Sequence, residues 1–257
     1  MPTVMALVSP VAYGASVALG AAVCAALCAA GRRGSRGGRW GRWGGRALGL
    51  VLLAVAVSWA VQSAVQGPWT AAGSLPLPLC DAALVVAGVA CWWPHPLLVE
   101  LTWFWGMAGT LQAVITPDLG AAFPHLLFFQ YVVGHLGIVV AALYLVAGLR
   151  LAPRRGAVAR TFAITVGYTA FVGAVDAVTG GNYMFLRSRP VSWSVLSVLG
   201  AWPWYIVNAA GVALALLILL DLPFRAGSRD DGHRRHLKGH RVHLTSAKAT
   251  GGHPYSV

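Results

Sequence analysis

Seven stretches of roughly twenty apolar residues, separated by short polar joints, constrain this chain more than any other feature. They run approximately over 8–30, 47–66, 75–93, 96–116, 124–148, 160–179 and 197–220. About 20 helical residues cross a hydrocarbon core about 30 Å thick. In lipid each backbone polar group must find its partner within the chain, which favours helices. The pattern predicts an all-α fold, a polytopic membrane helix bundle of about seven transmembrane helices. Composition agrees: 58% of the residues are hydrophobic and 10% charged, against about 25% charged in a soluble domain. Residues 1–223 are expected to form the transmembrane domain. Residues 224–257 form a basic tail without apolar periodicity, expected to be disordered.

The net charge of +12 would suggest nucleic acid in a soluble protein. Here the charges sit in joints and tail, so no nucleic-acid partner is expected. The first joint holds Arg32, Arg33, Arg36, Arg39, Arg42 and Arg46, and the fifth holds Arg150, Arg154, Arg155 and Arg160. The tail adds Arg225, Arg229, Arg234, Arg235, Lys238, Arg241 and Lys248, while the sixth joint has only Arg187 and Arg189. Cytoplasmic joints retain Lys and Arg. Seven spans put all but those last two on one side, so the N-terminus is expected outside and the C-terminus in the cytoplasm. The tail, with His233, His236, His240 and His243, is expected to lie near anionic lipid headgroups. No basic region precedes the first apolar stretch, so no cleavable signal is expected. Richness in Ala, Gly and Arg points to a high-GC bacterial genome and a bacterial plasma membrane.

Polar groups inside spans are costly and call for a reason. Cys80, Asp81, Glu100, Gln112, His135, Asp176 and the segment 180–190 stand out. The topology puts nearly all of them, with Pro117 and Asp118, in the outer half or middle of the bundle. Glu100 alone lies toward the cytoplasm. One shared depth points to a cavity open to the outside. Cys80 on the third stretch and His135 on the fifth differ by about 6 Å in depth at 1.5 Å per residue, a gap that helix tilt can close. A thiol beside an imidazole makes a nucleophile with its general base. Asp81 follows about 100° around the helix and either orients His135 or pairs with Arg187 or Arg189. Blander roles compete. A membrane Cys is usually a packing residue, and Cys24 and Cys28, four apart, share one helix face. Trp93, Trp103, Trp105, Trp193, Trp202 and Trp204 read as interfacial or packing aromatics. Gly106 and Gly109 read as close-contact positions, and Pro76 and Pro78 as a helix start. The four cysteines have no metal-ligand spacing, and neither metal nor cofactor is expected.

At these residues the chain resembles a known family. Leu75-Pro76-Leu77-Pro78-Leu79-Cys80-Asp81 resembles the Leu-Cys-Asp segment of YwaF-like bacterial integral membrane proteins. Phe104-Trp105-Gly106, Gln112 through Thr116-Pro117-Asp118, and His135 follow in order. Gly181-Asn182-Tyr183-Met184, Arg189-Pro190 and Trp202-Pro203-Trp204-Tyr205 complete the set, over roughly residues 45 to 220. Members of that family often carry His at the place of Pro78 and Lys at that of Arg189. The family is similar to the eukaryotic transmembrane protein 164 group, implicated as a Cys-dependent phospholipid acyltransferase, and more distantly to membrane hydrolases that use Thr and His. The resemblance implies a lipid acyltransferase or lipid hydrolase, with Cys80 as nucleophile and His135 as base. Asn182, Tyr183 or Gln112 would donate to the oxyanion, and Arg187 and Arg189 would hold a lipid phosphate.

Two other readings stay open at this level. A transporter or small-molecule binding protein would use the same cavity, with Asp81, His135 and Arg187, although the halves show no repeat symmetry. A non-catalytic membrane protein would use the basic tail as its interaction surface.

Overall fold

The structure, a computed structural model, describes residues 9–33, 38–65, 67–117, 119, 121–190 and 195–225. Asp118, Trp193 and the histidines of the tail lie outside them. Among the described residues six helices are long and apolar enough to cross a membrane: α1 (Pro10–Arg32), α2 (Arg39–Val65), α4 (Pro96–Ile115), α5 (Leu126–Gly148), α6 (Ala157–Thr179) and α7 (Trp204–Arg225). Between α2 and α4 lies the shorter apolar helix α3 (Leu79–Trp92). The all-helical polytopic bundle is therefore present.

Local sequence starts and stops these helices. Ser9 caps α1, its hydroxyl accepting from the Ala12 amide at 3.3 Å, and Pro10 fills the first helical position. His95 and His125 cap α4 and α5, each accepting through Nδ1 from the amide two residues on. Gly180 ends α6 with φ +78°, a left-handed conformation that Gly adopts without penalty.

Three boundaries differ from the expected ones. Helix α2 starts at Arg39 instead of near residue 47, so Arg39, Arg42 and Arg46 lie on its first turns. Their long stems let the charged heads reach the interface. Helix α7 starts at Trp204, after a 3-10 turn over Val195–Val198. Helix α3 starts at Leu79, with Pro78 at the N-cap and Pro76 in a non-helical lead. Its 14 residues rise only about 21 Å, shorter than a full crossing, and this lead extends it.

Helix α3 is the centre of the bundle. Ala83, Leu84, Ala87 and Ala90 are all buried, and the helix packs against α2, α4 and α5. Small residues let α2 approach closely: a Cβ on Gly49 would lie 2.7 Å from the Gly88 carbonyl oxygen. Gly106 likewise sits against Ile138 and Ala142 of α5, whereas Gly109 faces open space and is no contact position. Trp105 is buried and donates to Thr165 at 2.8 Å, while Trp93, Trp202 and Trp204 are exposed near helix ends.

The arginine-rich segments meet at one end of the bundle. Gly31 contacts both Gly41 and Gly148, Arg46 lies over Trp92, and Arg154 and Arg160 bind Glu100. Those contacts join the end of α1, the start of α2, the end of α3, the start of α4, the end of α5 and the start of α6. The opposite end is poor in charge. Residues up to 220 form one compact unit. The described part of the second, residues 221–225, carries the Asp221–Arg225 ion pair at 2.6 Å.

Candidate functional site at the charge-poor end

Two prolines prevent residues 75–78 from being helical, since Pro76 and Pro78 contribute no amide hydrogen. Extended backbone at membrane depth persists only where other groups satisfy it. Here distant tyrosines do so. The Leu75 amide donates to the Tyr183 hydroxyl at 2.9 Å, and that hydroxyl donates to the Ala71 carbonyl at 3.0 Å. The Tyr168 hydroxyl donates to the Leu77 carbonyl at 2.9 Å. On α2, the Ser63 hydroxyl donates to the Ser74 carbonyl at 3.3 Å.

The non-helical lead leaves a cavity of about 940 Å³ beside it. Its walls are the last turns of α2 (Trp59, Gln62, Ser63), residues 72–76 and 78–81, and residues 182–185. Cys80 and Asp81, on the first turn of α3, both line it.

The Cys80 thiol lies beside the Thr110 hydroxyl. Thr110 is buried at the end of a π-helical turn, Trp105–Thr110, within α4. Such turns insert an extra residue and occur frequently at functional sites. The hydroxyl of Thr110 also lies within hydrogen-bonding reach of the Trp105 carbonyl, at 3.3 Å.

His135 does not line the cavity wall that holds Cys80. It lies on the stripe of α5 that faces α4: one turn before it, Tyr131 donates to the Ala113 carbonyl at 2.8 Å, and one turn after it, Ile138 meets Gly106. Cys80 and His135 thus flank the same part of α4. The ring stacks on Tyr131, with centroids 4.1 Å apart, and Nδ1 is 2.8 Å from the Tyr131 carbonyl. A carbonyl only accepts, so Nδ1 carries the proton, and in the neutral ring Nε2 is the nitrogen with the lone pair.

The remaining candidates are placed differently. Asn182 and Tyr183 line the cavity, but their polar atoms hold the fold. Asn182 bonds Ser188 through Nδ2 and receives the Arg187 and Ser188 amides on Oδ1. Arg187 reaches the Gly181 carbonyl at 3.4 Å, and Arg189 reaches the carbonyls of Ser197 and Gly200. Gln112 is exposed near the end of α4. Asp81 forms no ion pair with Arg187 or Arg189 among the described residues. Asp176 is fully buried, and its Oδ1 accepts from the Tyr183 amide at 2.9 Å.

Sequence reading missed Gln62 and Gln130. Gln62 is 8% exposed and lines the cavity, yet neither end of its amide has a partner among the described residues. Gln130 is also buried, donating to Ser58 at 3.0 Å. Both sit within apolar spans, and an intramembrane polar residue was the available signal. Among the described residues no group of His, Cys, Asp or Glu is arranged to hold a metal, and all four cysteines are free.

The sequence model of the TMEM164 family matches residues 4–221, which includes all of the bundle but the last turn of α7 and every residue of this site. The chain belongs to the TMEM164 family. No curated protein and no solved structure matches it. As a TMEM164 family member the chain is a multi-pass membrane protein, and its membrane-spanning helices make lipid its surroundings. Within that family frame, the cavity at the charge-poor end is where Cys80, Asp81 and Gln62 converge.

Proposed function

We propose that this protein transfers or hydrolyses the acyl group of a membrane lipid, with Cys80 as nucleophile and His135 as general base. The observation that carries this reading is a thiol opening on a roomy cavity while an imidazole with an available Nε2 flanks the same π turn of α4. A lipid ester entering from the bilayer brings its carbonyl carbon to the Cys80 sulfur. His135 Nε2 takes the thiol proton as the sulfur–carbon bond forms. The tetrahedral intermediate then collapses, the ester carbon–oxygen bond breaks, and His135 returns the proton to the departing alkoxide. A hydroxyl of a second lipid, or water, attacks the resulting thioester. The carbon–sulfur bond breaks, and the thiol is restored.

In this proposal Asp81 adds polarity at the first turn of α3, and Asn182 and Tyr183 shape the wall. Arg187 and Arg189 follow the cavity-lining residues 182–185 in the chain and attract a phosphate headgroup, whereas Gln112 is not among the lining residues. The arginine-rich end faces the cytoplasm by the positive-inside rule, so the cavity opens outward. In a bacterium the bilayer is the plasma membrane. The basic tail contacts anionic headgroups on the cytoplasmic side.

The test supplies purified protein, Cys80→Ala and His135→Ala with acyl-labelled phospholipid. Loss of transfer in Cys80→Ala, together with a labelled wild-type thioester that hydroxylamine releases, supports the reading. Equal turnover by wild type and Cys80→Ala rejects it.

A further inference from the structure

An unpartnered amide inside an apolar span needs an explanation. Gln62 is the clearest instance: 8% exposed, with both Nε2 and Oε1 buried and without partners among the described residues. An empty pocket leaves such a group at a cost, because water and protein both fail to pair it.

Gln62 lines two hollows at once. One is the cavity of Cys80. The other is a shallow, open apolar groove of about 700 Å³ along the largely exposed α2 stripe Leu50, Ala54, Val57, Val61 and Val65, with Leu126 of α5 beside it. These residues recur every three or four positions, so they form one face of the helix. The groove descends from Gln62 to Leu50, about 18 Å at 1.5 Å per residue. One leaflet of hydrocarbon is about 15 Å deep, half of the core. That stretch therefore has about the length of one lipid tail, and Gln62, one turn short of the groove's limit at Val65, joins it to the cavity.

We infer that this groove seats the acyl chain of an ester phospholipid, with the Gln62 amide donating to the ester carbonyl and so delivering it to the Cys80 cavity. The groove's lining is apolar apart from Ser58 and Gln62, which suits a hydrocarbon tail along its length and a carbonyl at its mouth. The bound amide then has the partner it lacks when the groove is empty. This inference rests on the reading of Cys80 as an acyl-transfer nucleophile, and it adds the site that selects the substrate.

The test reconstitutes full-length protein in vesicles containing a phospholipid with a diazirine midway along its acyl chain. Irradiation and peptide mapping locate the adducts. The expected result is adduct enrichment on residues 50–61 over the exposed faces of α1 and α6. Gln62→Leu should lower those adducts at least fivefold, and Ala54→Trp should block them by filling the groove. Gln62→Leu should also raise the thermal midpoint in lipid-free detergent, because it removes an unpaired buried amide. A merely structural glutamine would instead lower it. Adducts spread evenly over the lipid-facing helices, or unchanged in Gln62→Leu, would overturn the site. Enriched adducts on α2 without any acyl transfer by the wild type would support the site while removing the catalytic reading. Transfer that needs Cys80 but ignores both Gln62→Leu and Ala54→Trp would leave the catalytic reading intact and reject the groove.

Discussion

The Tyr183 hydroxyl accepts a hydrogen bond from the Leu75 amide at 2.9 Å, joining positions 108 residues apart. The same hydroxyl donates to the Ala71 carbonyl. One side chain thus satisfies two backbone groups that the prolines of the third crossing leave outside a helix. Replacing it, as in Tyr183→Phe, strands both. The expected loss is about 1–3 kcal/mol, visible as a lower thermal midpoint in detergent. Thiol reagents should also reach Cys80 faster, because the lead that walls its cavity loosens. An unchanged midpoint with unchanged Cys80 labelling would show that the lead is held by other means.

The opposite end makes a different kind of prediction. Glu100 is 1% exposed and receives Arg154 at 2.8 Å and Arg160 at 2.9 Å. The guanidinium of Arg154, hydrogen-bonded to that carboxylate, is held above its already high ordinary value, so it stays charged at any working pH. The arginines are 50% and 38% exposed, and water screens much of each attraction. Removing one of them, Arg154→Ala or Arg160→Ala, should cost about 0.5–1 kcal/mol. Removing both leaves a buried carboxylate with no cation beside it and only the backbone amide of residue 154 as donor, and should cost about 3 kcal/mol. Denaturation midpoints of the three variants measure this asymmetry, and simple additivity would contradict it.

Close approach of α2 and α3 rests on hydrogen-sized side chains. A Cβ at position 49 meets the Gly88 carbonyl at 2.7 Å and the Trp92 ring at 2.6 Å. Gly49→Ala should therefore force the helices apart and cost about 1–3 kcal/mol. The control is Gly109→Ala, whose added methyl meets nothing within 4 Å. It should be neutral or slightly stabilising, as alanine favours helix. Equal effects in the two variants would refute the packing argument.

The orientation can be read by labelling. With the four native cysteines replaced, a membrane-impermeant thiol reagent outside intact cells should modify Ser74→Cys. It should reach Arg155→Cys only after the membrane is opened. The reverse pattern would invert the bundle and turn the Cys80 cavity toward the cytoplasm.

His135 gives a catalytic prediction. With Nδ1 tied to the Tyr131 carbonyl, only Nε2 is available as a base. His135→Gln retains hydrogen bonding but no base, and acyl transfer should fall about 10²–10⁴-fold. The thermal midpoint should change little. A fall confined to KM would argue for a binding role instead.

Hydropathy and charge along the chain were enough to determine the solvent, the polytopic helical bundle, the separation of arginine-rich from charge-poor joints, and the segments bearing Cys80 and His135. These are local properties, since about twenty apolar residues need lipid whatever they later touch. Tertiary structure decided which polar atoms are free. Asn182 and Tyr183 look like ligand donors in the sequence, yet they bond segments of their own fold. Gln62 looks like one polar residue in an apolar helix, yet its amide is left unpaired between a groove and a cavity. A hydrogen bond forms between whichever groups folding brings within about 3 Å, and for Tyr183 and Leu75 that partner is more than a hundred residues away.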